Sequence, residues 1–237
     1  MSEQYRKLIA KLGPLRDRII AILGRDSEAL RTAVLQQLDR ILRDNPDVEP
    51  GDLADIIERD LRVTGGARKA LEQHLREGQA KLAELRQSMY ATITDRVLAL
   101  DPTALMARTA IDFPSINRTV NATVQRALRQ VLDSGGEIGD VTRALKHTRI
   151  AAHQARTLAN TALAQYDNAT TIQLAKQAGI TKYKYHGPAA QREFCQALLA
   201  TGRYYTLEEI NRMDNGQGLP VWSSRSEERR VGKECRM

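Results

Sequence analysis

Residues 150–185 read IAAHQARTLANTALAQYDNATTIQLAKQAGITKYKY, and they hold the change of character that decides the fold. From Ile150 to Gln177 the stretch is rich in Ala, Thr, Leu and Gln and contains neither glycine nor proline, so one long helix is expected there. Gly179 is a usual helix stop, because glycine alone adopts a left-handed backbone without steric penalty. The next six residues, Ile180 to Tyr185, alternate in polarity and are rich in β-branched and aromatic side chains, which predicts a strand. A helical chain here gives way to a small mixed ending.

Downstream, Gly187-Pro188 turns the chain, Glu193 to Leu199 reads as a helix, and Gly202 ends it. Thr206-Leu-Glu-Glu209 is a capping box that opens a short helix through Met213. Asn215-Gly216-Gln-Gly218 is a loop leading to Leu219-Pro-Val-Trp222.

Upstream, the chain reads as a series of amphipathic helices. Leu8, Leu12, Leu15, Ile19 and Leu23 recur at helical spacing, and Gly13-Pro14 is expected to kink or split this helix. Asp26-Ser27 can cap a next helix with Leu30, Val34, Leu38, Ile41 and Leu42 on its apolar face, ending near Asn45-Pro46. A short helix carries Leu53, Ile56, Ile57 and Leu61. After Gly65-Gly66 comes what reads as the longest run, with Leu71, Leu75, Leu82, Leu85, Met89, Ile93 and Val97 along one side. Asp101-Pro102 is a cap with proline at the first helical position. A helix from near Ser115 presents Val120, Val124, Leu128 and Leu132 before Gly135-Gly136, and Ile138, Val141 and Leu145 mark a shorter one. The expected fold is therefore mainly α: an elongated helical N-terminal part over 1–148, then a small α+β C-terminal domain over 149–224.

The tail from Arg225 to Arg236 looks like the translation of a common sequencing-library adapter, so 225–237 is expected to be an artefact of that kind. Without its five basic and three acidic residues the formal net charge falls from +7 to +5. No apolar stretch approaches the roughly 20 residues that cross a bilayer, and Met1-Ser2-Glu3-Gln4 does not open a signal peptide, so no membrane partner is expected. Two cysteines, Cys195 and Cys235, make no disulfide framework.

The familiar catalytic signatures are missing: no phosphate-binding glycine loop, no Gly-x-Ser-x-Gly elbow and no His-Glu-x-x-His. His74, His147, His153 and His186 fall on different elements and read as solvated or packed side chains. Cys195 is the sole metal or nucleophile candidate, but it has no second cysteine in the natural part and no clear base and orienting pair. A small buried residue sharing a helix face with Leu198 and Leu199 is the plainer reading. No catalytic residue and no cofactor is assigned. The clearest charge feature is basic: Arg118, Arg126, Arg129, Arg143, Lys146 and Arg149, with Arg156 beyond them, face only Asp133, Glu137 and Asp140 over the same stretch. Such residues can contact DNA phosphates or simply form a solvated helix face. Lys182-Tyr-Lys-Tyr185 interleaves cations with rings, a pattern shared with single-strand binders.

One further order of residues stands out: Arg156-Thr157, Asn160, Asn168, Gly179, the strand Lys182 to Tyr185, Gly187-Pro188, Arg192-Glu-Phe-Cys195, Gly202-Arg-Tyr-Tyr-Thr206, then Asn215-Gly216 and Pro220. In that order and spacing the segment from near Ile150 to Val221 resembles the phage Mu F-like family of minor head, or head-morphogenesis, proteins. It departs from the family in having Ala189-Ala190 where an acidic residue commonly follows Gly-Pro, and in lacking a natural Cys-Arg ending. The resemblance implies an incomplete head-morphogenesis domain over 149–224 in a low-copy virion protein of the phage head interior, made in the host cytoplasm. It further implies partners among the portal and capsid proteins, and some relatives are linked to DNA packaging or ejection. The alternatives from the residues themselves are a nuclease or toxin-like enzyme module and a non-catalytic DNA-binding protein.

Overall fold

The computed structural model describes residues 3–137, 139–146, 148–184 and 193–213. The architecture is mainly α, with a long helical N-terminal region and a small C-terminal part holding a two-stranded sheet and short helices. Among the described residues no helix is long and apolar enough to cross a membrane.

The first helix, α1 (Glu3–Asp44), excludes a split at Gly13-Pro14 and corrects the cap expected at Asp26-Ser27. It runs unbroken through Pro14, and Asp26-Ser27 lies within it instead of capping a second helix. Ile19, Leu23, Leu30, Val34, Leu38 and Leu42 form one buried stripe at helical spacing, so tertiary burial holds the helix past a local break signal. The Ser27 hydroxyl is satisfied by donating to the Leu23 carbonyl at 2.7 Å, and the Asp26 carboxylate meets His74 Nδ1 at 2.7 Å. The end near Asn45 is as expected, with the Asn45 amide donating to the Ile41 carbonyl at 2.8 Å.

Next come α2 (Pro50–Asp60) and α3 (Gly65–Ala91). α3 is shorter than α1 and stops before Ile93 and Val97, which are 44% and 93% exposed instead of continuing its apolar side. The run Thr92-Ile93-Thr94 is β-branched, which disfavours helix, and the Thr92 and Ile93 amides tighten the last turn onto the Met89 and Tyr90 carbonyls. α4 (Pro102–Arg108) begins as read: Asp101 accepts the Ala104 amide at 3.0 Å, with proline in the first turn. α5 (Phe113–Asp133), α6 (Asp140–Lys146) and α7 (Ala152–Gln177) follow, then β1 (Lys182–Lys184), α8 (Glu193–Thr201), β2 (Tyr204–Thr206) and α9 (Leu207–Arg212). β2 is a strand the sequence reading missed. It pairs antiparallel with β1, Lys182 opposite Thr206, Tyr183 opposite Tyr205 and Lys184 opposite Tyr204.

The chain divides into two compact units that alternate along the sequence. One is formed by Asp17–Glu77 and Ala110–Asn160. Its core takes Leu23, Leu30 and Leu38 of α1, Leu53 and Ile57 of α2, Leu71 and Leu75 of α3, Ile116, Val120 and Val124 of α5, and Val141 and Leu145 of α6. Asn117 accepts the Val63 amide at 2.7 Å, and the Arg68 guanidinium lies 4.4 Å from the centre of the Phe113 ring.

The other unit comprises the described residues of Met1–Arg16, Gly78–Thr109 and Thr161–Met237. Leu82, Met89, Leu98, Leu163, Tyr166 and Leu174 are buried in it. Two hydrogen bonds at 2.7 and 2.8 Å join the Arg86 guanidinium to the Asp167 carboxylate, both largely buried. Burial opposes the Arg86 charge, but the bonds to Asp167 outweigh it and hold the guanidinium pKa above its ordinary value. Tyr90, beside them, is pushed up to about 12 by burial. The end of α7 is fixed as the sequence suggests: Gly179 takes φ +75°, and the Ile180 amide reaches back to the Ala175 carbonyl at 2.8 Å.

Candidate functional site

The basic stretch singled out in the sequence lies in one unit and is displayed by α5, α6 and the loop after it. Asp112 caps α5 by accepting the Ser115 amide at 3.1 Å, and Phe113, Ile116, Val120, Val124, Ala127 and Leu128 set its buried face. At about 100° per residue, Arg118, Arg126 and Arg129 then fall within about 80° of one another on the opposite side, and all three are exposed. Gly135, at φ +75°, ends α5. α6 packs beside it, burying Val141 and Leu145 and leaving Arg143 and Lys146 exposed. Arg149 is exposed in the following loop. Arg31 of α1 anchors that loop by donating to the Thr148 carbonyl at 2.9 Å and to the Lys146 carbonyl.

Pairing separates these cations into two groups. Arg143 is tied to Asp140 at 2.6 Å, and Arg129 donates to the Gln125 carbonyl at 3.3 Å. Arg118, Arg126, Lys146 and Arg149 have no side-chain ion pair among the described residues. A displayed cation without a carboxylate partner is free to replace counterions on a polyanion, which is the chemistry this face supplies.

The residues behind the family resemblance are distributed differently. Arg156, Thr157 and Asn160 sit on the part of α7 that belongs to the same unit as the basic face, and Asn168 on the part that belongs to the other. Arg156 is exposed and runs past Gly24, where an added Cβ would meet its guanidinium at 3.9 Å. The Asn160 Oδ1 is buried with no donor among the described residues. Gly179 and Gly202, at φ +75° and +55°, precede β1 and β2 respectively, so both perform the left-handed turns expected of them. Thr206 and Glu209 complete the capping box reciprocally, at 3.2 and 2.7 Å. Glu209 sits below its usual carboxyl pKa, chiefly through the Thr206 amide. Cys195 lies on α8, with its side chain outside the described residues, as are Gly187, Pro188, Arg192, Asn215, Gly216 and Pro220. Of the histidines, His74 is paired with Asp26 and His153 is exposed, whereas His147 and His186 are outside the described residues.

Two sets of residues escaped the sequence reading. Arg86 and Asp167 are 81 positions apart, and nothing local signals their pairing. Arg203 and Tyr204 stand beside the Lys182–Lys184 strand only because β2 pairs with it, and the aromatic pair Tyr204-Tyr205 between Gly202 and the capping box was the available signal. Comparison with known proteins finds no matching family model, no matching curated protein and no matching solved structure.

Proposed function

We propose that this chain is a minor head protein of a tailed bacteriophage, acting in head morphogenesis beside the portal or the inner capsid surface. The observation that carries the reading is the pairing of β1 with β2. It brings two separated pieces of the family-like order, Lys182–Lys184 and Tyr204–Thr206, into one register, with Gly179 and Gly202 ahead of the two strands. The long helices supply extended surfaces of the kind that dock to partner grooves. In this role the protein works by binding, inside the virion head, after assembly in the host cytoplasm.

The test is co-sedimentation of the full-length protein with portal and capsid proteins, together with deletion of its gene. The expected outcome is binding to one of them and a loss of infectious particles. Binding to neither, with unchanged particle yield and infectivity, sinks the proposal. Arg118, Arg126, Lys146 and Arg149, exposed and without an ion pair among the described residues, favour a second reading, DNA contact without catalysis. It expects duplex affinity that falls steeply with salt and weakens in the Arg126→Ala, Arg129→Ala double variant. A flat salt response removes it.

A further inference from the structure

β1 and β2 form a two-stranded sheet whose faces differ in character. Successive side chains of a strand point to opposite faces, so Lys182 and Lys184 share one face with Tyr204 and Thr206 across the ladder. The other face carries Tyr183 and Tyr205. Tyr183 packs against the cluster of Tyr90, Leu98, Leu174 and Ala175, and Tyr205 packs against Leu198. The lysine face is the more open one: Lys182 is exposed, Lys184 is half-buried, and Tyr204 is 60% exposed, the most exposed aromatic ring described. The Lys184 ammonium stands 5.7 Å from the Tyr204 ring centre, and the Arg203 guanidinium 5.3 Å from that of Tyr205. Neither lysine is ion-paired among the described residues. Glu209 feels the Lys182 charge, but its carboxylate is hydrogen-bonded by the Thr206 amide and by Arg203.

We infer that this face binds single-stranded nucleic acid, with a base stacked on Tyr204 and the adjoining phosphates on Lys182 and Lys184. The two lysines are two residues apart on one strand, which separates their stems by about 6.8 Å along it, a step that suits successive phosphates of an extended strand. A duplex keeps its bases stacked on one another and offers none to the ring, so the presence of an exposed aromatic beside the cations selects the single strand. The inference draws on the same β1–β2 pairing as the head-protein reading but does not require that reading, and the α5–α6 basic face lies in the other unit.

The test titrates the full chain into a short fluorescein-labelled oligothymidylate, and into the same strand annealed to its complement, reading anisotropy. The single strand is expected to bind more tightly than the duplex. Tyr204→Ala should weaken single-strand binding by about fivefold or more, and Tyr204→Phe should restore it. Lys182→Gln with Lys184→Gln should weaken binding and flatten the slope of log affinity against log salt by about 1.4. Arg126→Ala with Arg129→Ala should weaken single-strand binding less than Tyr204→Ala does. Circular dichroism of each variant checks that the helices are intact. Equal affinity for duplex and single strand, an unchanged affinity in Tyr204→Ala, or loss of binding in the α5 variant instead, each overturns the inference.

Discussion

The unit formed by Asp17–Glu77 and Ala110–Asn160 and the unit holding Gly78–Thr109 and the described part of Thr161–Met237 bury different things. The first closes over repeating Leu, Ile and Val side chains, and its buried polar residues are few: Ser27 bonded within its own helix, and Asn121, whose amide donates to the Glu58 carbonyl at 3.3 Å. The second buries Arg16, Gln79, Thr109, Asp167 and Thr170 beside its apolar residues, with the Gln79 amide donating to the Thr109 hydroxyl at 3.0 Å. An apolar core tolerates approximate partners, because dispersion and burial have little direction. A polar core is tolerant only while every partner is in place, so single changes there act more sharply.

The largest effect is expected at the buried ion pair. Asp167→Ala leaves the Arg86 guanidinium inside the unit without its carboxylate, and such a loss costs about 3–5 kcal/mol. Arg86→Met combined with Asp167→Leu should recover most of that, since a well-packed apolar pair replaces a charged one at little net cost. Denaturant unfolding of both variants measures this. If Asp167→Ala were no less stable than the double variant, the pair would not be sustaining the core.

Truncation in the apolar unit gives the counterpart. Leu38 is fully buried in the α1 stripe, and Leu38→Ala should cost about 3 kcal/mol through lost burial and a residual cavity. Hydrogen exchange can assign each loss to its own unit. A Leu38→Ala cost above that of Asp167→Ala would reverse the contrast between the two cores.

A smaller effect belongs to the capping box. Thr206→Ala removes the acceptor for the Glu209 amide and should cost about 1 kcal/mol. The Glu209 arm also has a pH signature. Its carboxyl pKa is held below the ordinary carboxyl value, chiefly by the Thr206 amide, so its contribution is complete above the ordinary carboxylate range. That contribution is lost as pH falls through the depressed value, and Glu209→Gln should have a flatter acid limb in the unfolding profile. An acid limb identical to that of the parent would remove the assignment.

These contrasts also mark what could be read from the chain. Signals that act within a few residues were legible: the caps at Asp101 and Thr206, the stops at Gly135, Gly179 and Gly202, and the stripes of α1, α2 and α5. The basic residues of α5 and α6 were legible as charges, but their exposure and pairing depended on which face the apolar residues claimed. What was lost depends on distance. Arg86 finds Asp167 only when α3 and α7 lie together, and three-residue β2 is a strand only because β1 is beside it. The alternation of the two units along the chain is likewise invisible to a reading in chain order. Asp26-Ser27 misled for the opposite reason, since a local cap signal yielded to a stripe of buried leucines.

Gly13-Pro14 tests that last balance between local signal and burial, with the smallest expected change. Both lie inside α1, upstream of its fully buried stripe, where Leu8, Leu12 and Leu15 are only half-buried. Pro14 leaves the Ala10 carbonyl without its helical donor, and Gly13 adds the backbone entropy of a residue with no side chain. A Cβ at Gly13 would meet nothing within 4 Å, so Gly13→Ala creates no clash. The substitution should stabilise the protein by about 0.5–1 kcal/mol, and should slow hydrogen exchange over 3–13 more than elsewhere. An unchanged or lowered stability would mean that the break signal is already silenced by packing at this point, and that the first turns of α1 are held as firmly as the stripe beyond them.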